Sequence, residues 1–172
     1  MVSYRDTVCL APLRHIYRGK CGLDVEVTLM LEGFPLVSRF SVPFADIDML
    51  HHVNNVAYIR WAEMMRAEYF ARVMGEAIDG NHGMIQANIS FTYEKQLAYR
   101  EKIAVGCKVS RMGTKSWDFC YEVWSETFSH RAAHGTTAVV AFDFEAQKSI
   151  VVPESWRAAI AKFESGPQIL FH

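Results

Sequence analysis

No stretch of this sequence comes near the roughly 18 consecutive apolar residues that a membrane-crossing helix needs, so no spanning helix is expected. The first twenty residues lack the apolar segment of a secretory signal and carry Arg5, Asp6, Arg14, His15 and Arg18 instead. The four cysteines (Cys9, Cys21, Cys107 and Cys120) form no C-x-x-C pair, and two of them sit inside apolar, strand-like runs where a reduced thiol packs as a small hydrophobe. A reducing, cytoplasmic setting is the expectation. Neither sign of charge is in excess: 18 basic residues face 19 acidic ones, for a net charge of −1. A nucleic-acid binder normally carries a basic surplus, so none is expected as partner. There is no internal repeat, no low-complexity tract and no G-x-S-x-G serine elbow. No distant ligand of matching type joins His51 and His52, so no metal site is expected.

What is present is a globular composition. Of 172 residues, 51% are hydrophobic and 22% charged, which suits one domain with a core of its own. A chain of this length needs no metal or disulfide to fold. The clearest periodic signal follows Asn54-Asn55. Tyr58, Trp61, Ala62, Met65, Tyr69 and Val73 recur at three- and four-residue steps, with Arg60, Glu63 and Arg66 off the stripe. This predicts a helix of about 18 residues, capped by asparagine at its start and by Gly75 at its end.

Strands are predicted on both sides of the helix. Leu36 to Phe44 reads as a first core strand. Upstream, Val25, Val27, Leu29 and Leu31 alternate with polar residues, and Gly33-Phe34-Pro35 is suited to turn that strand back as a hairpin. Downstream, Ile85, Ala87, Ile89, Phe91 and Tyr93 share one face. Ile103, Val105, Cys107 and Val109 form a second series, and Trp117, Phe119, Tyr121 and Val123 a third. A last strand runs from about Thr136 to Phe144, and Pro153 opens a short closing helix from Glu154 to Phe163. Residues 1 to 23 show no clear period. The expected class is α+β, a mostly antiparallel sheet with one face covered by one long helix.

The polar residues that carry chemistry concentrate between the first strand and the helix, from Asp46 to Asn55. Two carboxylates, two imidazoles and two amides lie there within ten residues. A helix N-terminus supplies free N–H groups and partial positive charge for a developing oxyanion. A carboxylate a few residues upstream can act as general base or nucleophile. A D-x-D run before a helix also makes an ordinary Asx turn and cap with no chemistry attached.

The run Asp46-Ile47-Asp48-Met49-Leu50-His51-His52-Val53-Asn54-Asn55-Val56-Ala57-Tyr58 resembles the D-x-D-x-x-G-H-V-N-N-x-x-Y signature of the hotdog-fold acyl-CoA thioesterases related to 4-hydroxybenzoyl-CoA thioesterase. The resemblance extends into Trp61, Glu63 and Tyr69-Phe70. It divides the chain into an N-terminal extension with one added strand (1–35), a hotdog domain (36–164) and a tail (165–172). It implies a curved antiparallel sheet wrapped around one long central helix, assembled as a homodimer or homotetramer. Asp48 falls on the catalytic carboxylate, and the N–H near Asn55 falls on the group that polarises the thioester carbonyl. His51, His52, Asn54 and Tyr58 fall on the substrate side, and the turn carrying Arg111 and Ser116 lies where the family holds the CoA moiety. The substrate implied is an acyl-CoA or acyl-carrier-protein thioester, with no separate cofactor.

One departure stands out: His51 occupies the position of the usual glycine, where a left-handed backbone is easily made. Two other readings stay open. Asp46 and His51 have the D-x4-H spacing of (R)-specific enoyl-CoA hydratases, with mismatches at Asp48, Met49 and Val53. A non-catalytic acyl-CoA binding module, blocked by His51, is the third.

Overall fold

The protein's structure, a computed structural model, describes residues 30–74 and 81–171. The strand expected over residues 25–32 and the helix cap at Gly75 fall wholly or mostly outside these residues. Strand β1 (Leu36–Ser41) leads through a single 3-10 turn (Phe44–Asp46) to helix α1 (Asn55–Met74). Four long strands follow: β2 (His82–Tyr93), β3 (Lys102–Met112), β4 (Ser116–Ser125) and β5 (His130–Asp143). The short β6 (Lys148–Ser149), helix α2 (Glu154–Glu164) and β7 (Ile169–Phe171) complete the fold. The sheet has seven strands in the order β2-β5-β4-β3-β1-β7, with β6 against β5. Every pairing is antiparallel except β1 with β7. The α+β expectation holds in this form, with helices α1 and α2 among the described residues. No described helix is long and apolar enough to cross a membrane, which says nothing of strands.

Helix α1 forms where the apolar stripe predicts. Ala57, Tyr58, Trp61, Ala62, Met65, Tyr69, Phe70 and Met74 are its buried residues, and they pack into one core with Leu36, Ile103, Val105, Cys107, Phe119 and Tyr121 of the sheet. A cluster this size supplies the main driving force for folding, at about 25 cal/mol per Å² of apolar area removed from water. Helix α2 joins this core through Trp156 and Ile160. Its Glu164 accepts hydrogen bonds from the Tyr69 hydroxyl (2.5 Å) and the Val109 N–H (2.7 Å), tying both helices to β3.

Two strands depart from the simple alternation of their sequences. In β2 the register shifts between Gln86 and Asn88, and the extra residue of such a bulge flips the phase of the side chains. Met84 therefore packs on the core before the bulge, and Ile89 and Phe91 after it, while Ile85 is left exposed. Strand β5 starts six residues before the apolar pattern does. Its early residues Arg131 and His134 bind Glu94 (2.7 and 2.8 Å), so polar side chains occupy positions that periodicity reads as loop.

A second, smaller cluster of Leu31, Phe34, Val37, Ala104 and Cys120 lies apart from the main core. Gly106 makes it possible, since a Cβ there would stand 2.8 Å from both Leu31 Cδ2 and Phe34 Cδ1. The Lys108 ammonium lies over the Phe34 ring, 4.5 Å from its centroid. The Gln168 amide donates to the carbonyls of Leu31 (2.9 Å) and Phe34 (3.1 Å). Within the expected tail, Ile169–Phe171 is thereby held as a strand beside β1.

Candidate active site

The loop before α1 is closed on itself. An isolated antiparallel bridge joins Ile47 to Val53. Within it the Asp48 N–H donates to the His52 carbonyl (2.9 Å), and the His51 N–H to the Asp48 carbonyl (3.0 Å). The half-buried Asp48 side chain completes the turn: its Oδ1 accepts the N–H of Leu50 at 2.8 Å and of His52 at 3.4 Å. Oδ2 takes no hydrogen bond from any described residue.

His51 adopts φ of +65°, the left-handed conformation that a glycine would supply here without strain. For a side-chain-bearing residue this costs on the order of 1 kcal/mol. The histidine thus preserves the turn rather than reshaping it. Replacing His51 by glycine is expected to stabilise the fold by about 1 kcal/mol in a urea titration; a loss of stability would mean that the imidazole itself holds the turn.

Asp46 has a different part. It is 6% exposed, and its carboxylate accepts the Trp61 indole N–H at 2.9 Å and a hydrogen bond from Arg60. Its carbonyl accepts the Asn54 N–H at 2.8 Å. It therefore fastens the loop to the first turns of α1. Asn54 is the N-cap: its Oδ1 accepts the Val56 N–H at 2.9 Å. The next N–H, that of Asn55, has no acceptor among the described residues and stays at the positive end of the helix dipole.

A cleft of about 640 Å³ opens beside this helix start, lined by His52, Val53, Asn55, Tyr58, Tyr93, Glu94, Lys95, Gln96 and His130. The structure thus gathers His52, Asn55 and Tyr58 on its wall. Asp48, His51 and Asn54 belong to the loop next to it. Tyr58 is 3% exposed, with its ring 5.0 Å from both Trp61 and Tyr93, and its hydroxyl has no hydrogen-bond partner among the described residues. Burial, reinforced by Tyr93 and Glu101, pushes that hydroxyl's pKa well above the ordinary tyrosine value. It stays a neutral donor. The Tyr93 hydroxyl donates to the Asn55 carbonyl at 3.3 Å.

The opposite wall was not singled out in the sequence. Burial alone would raise the Glu94 carboxyl, but hydrogen bonds and charge from Arg131 and His134 hold it below the usual range. Arg131 also reaches Glu122 at 3.3 Å. His130 stacks on Phe128 at 6.2 Å, and its Nε2 is buried with no partner. No local motif marks these residues; Glu94 and His130 come together on the cleft because β2 and β5 pair, with Tyr93 opposite Ala133.

Arg111 and Ser116 are not on this cleft. Arg111 grips Asp118 through two hydrogen bonds of 2.5 and 3.1 Å and lines a separate cavity of about 350 Å³ with Val109, Ser110, Met112, Arg157, Ile160 and Ala161. Ser116 starts β4, and its carbonyl accepts the Gly113 N–H at 2.7 Å. Among the described residues, no three His, Cys, Asp or Glu side chains are grouped to hold a metal ion.

A mostly antiparallel sheet, a long helix, and a polar loop at the helix N-terminus define a class. Residues 42–160 match the thioesterase-like superfamily, and the chain belongs to it. The architecture is consistent with the hotdog fold of its structural neighbours. A thioesterase from Thermus thermophilus, complexed with coenzyme A and Zn, is 27% identical over 79% of this chain and 98% of its own, with a TM-score of 0.69. A 1,4-dihydroxy-2-naphthoyl-CoA thioesterase from Synechocystis is 13% identical, covers 76% of this chain and 98% of its own, and has a TM-score of 0.66. A Staphylococcus aureus protein in complex with CoA is also 13% identical, over 79% of this chain and 87% of its own, with a TM-score of 0.68. At such identities the last two bear on the fold alone. No curated protein sequence matches the chain.

Proposed function

We propose that the protein hydrolyses the thioester of an acyl-CoA or acyl-carrier protein to a free acid and a thiol, with Asp48 as the reacting carboxylate. One observation carries this reading. Asp48 is anchored through Oδ1 with Oδ2 open, in the loop that leads to the unpaired Asn55 N–H on the cleft wall. Membership of the thioesterase-like superfamily supports it, as does the coenzyme A bound by the Thermus relative.

As a base, Asp48 takes a proton from water while the hydroxide adds to the carbonyl carbon. The oxyanion rests on the Asn55 N–H, the C–S bond breaks, and the thiolate collects the proton. As a nucleophile, the carboxylate forms a mixed anhydride that water then opens; the products are the same. A thiolate leaves readily, so a carboxylate and one N–H donor meet the need without a serine triad. His52 and Tyr58, on the same wall, orient substrate or water. No cofactor is required, since the CoA moiety is part of the substrate.

The hydratase reading finds no support in the geometry, because Asp46 is committed to Trp61 and Arg60 inside the protein while His51 is exposed. A thiol-release assay over a panel of acyl-CoAs tests the hydrolase. Silence across the panel with ester binding intact would leave the binding module as the better account.

Assembly is part of the proposal. Strand β2 ends the sheet with one side unpaired among the described residues, an open edge ready to pair with a second copy. A homodimer, or a tetramer made of such dimers, is the expected mass by light scattering; a monomer would overturn it. The buried Cys107 thiol, in no disulfide with any described residue, fits the proposed reducing, cytoplasmic location.

A further inference from the structure

The cleft beside α1 has a second wall that the chemistry above leaves idle, formed by Glu94, Lys95, Gln96 and His130. Its charges are unequally committed. Glu94 is held by Arg131 at 2.7 Å and His134 at 2.8 Å, so its negative charge is already answered. Lys95 is fixed by its backbone, whose N–H donates to the Ala132 carbonyl at 3.1 Å, yet its exposed ammonium makes no ion pair with any described residue. His130 adds an imidazole whose Nε2 is buried and unpartnered. This wall therefore offers the cleft an unneutralised cation, and an ammonium is a strong point-charge partner for phosphate. Arg111, where the family resemblance would seat the CoA moiety, is by contrast bound to Asp118 and lines the other cavity.

We propose that Lys95 receives the phosphate-bearing part of a coenzyme A thioester, so that the thiol arm leaves the cleft past Glu94–Gln96 and not over the β3–β4 turn. This rests on the reading that the cleft beside Asn55 holds the thioester. It favours coenzyme A esters over esters of an uncharged thiol.

Calorimetric titration of the full chain with free coenzyme A and with pantetheine, at low and high salt, tests it. The wild type is expected to bind coenzyme A more tightly, with a preference that shrinks as salt rises. Lys95→Ala is expected to weaken coenzyme A by about three- to fivefold and leave pantetheine unchanged, and Lys95→Arg to restore most of the loss. Equal weakening of both ligands, no wild-type preference, or a loss carried by Arg111→Ala instead of Lys95→Ala would each overturn the assignment. Thiol release from acyl-CoAs separates the two ideas. Coenzyme A bound through Lys95 with no acyl ester cleaved would sink hydrolysis and keep this site. Cleavage with coenzyme A binding indifferent to Lys95→Ala would do the reverse.

Discussion

Asp48→Asn is expected to lower the rate of thiol release by about 10²- to 10⁴-fold, the usual worth of a positioned base, while the protein stays folded. The structure separates the two effects. Asparagine keeps an Oδ1 that can accept the Leu50 and His52 N–H groups that Asp48 Oδ1 accepts, so the turn survives. What disappears is the charge, and with it the ability to take a proton or attack a carbonyl. The stability change should stay within about 0.5 kcal/mol. Steady-state kinetics on any accepted acyl-CoA, beside a urea titration, reads both quantities. A fully active Asp48→Asn enzyme would end the assignment of this residue.

Asp46→Ala is expected to act mainly on the fold, with a loss of about 3 kcal/mol. Its carboxylate is buried, and it is the acceptor for the Trp61 indole N–H and a partner of Arg60. Without it, the indole of a residue only 5% exposed keeps a buried donor with nothing to bond, and the loop loses its fastening to α1. A fall in Tm of roughly 6–12 °C follows for a domain of this size. Activity should fall with it, because the Asp48 turn is built on the same loop. An unchanged Tm with activity abolished would instead make Asp46 the chemical residue and revive the hydratase reading.

The two aspartates also show how far the sequence reaches. Asp46 and Asp48 are the same residue type two positions apart, and only burial and partners divide them into a clamp and an open carboxylate. The start of α1 and its buried stripe were legible, because an N-cap asparagine and a 3.6-residue period are both local signals. The β2 bulge was not, since an inserted residue changes which face is buried without interrupting the run of β-forming residues. Nor was the second wall of the cleft: Lys95 and His130 lie 35 residues apart in number and reach the same cleft through strand register alone. The Arg111 contact was hidden for the same reason, because its partner Asp118 comes from the facing strand. The left-handed φ of His51 was legible as a conflict between residue and motif, and the backbone resolves it in favour of the motif.

Strand β7 adds only Ile169–Phe171 to the sheet, yet it lies along Leu36–Ser38 of β1. Its position occupies part of the border that β1 would otherwise offer to another molecule. The two borders of the sheet are thus unlike: a twelve-residue strand at β2 and a three-residue strand at β7. A sheet with two long open borders can add molecules at both and grow into a fibre. On the proposed pairing of β2 with its counterpart across a two-fold axis, the sheet borders left among the described residues are the short β7 strands, which are poor templates for carrying strand pairing on into a fibre.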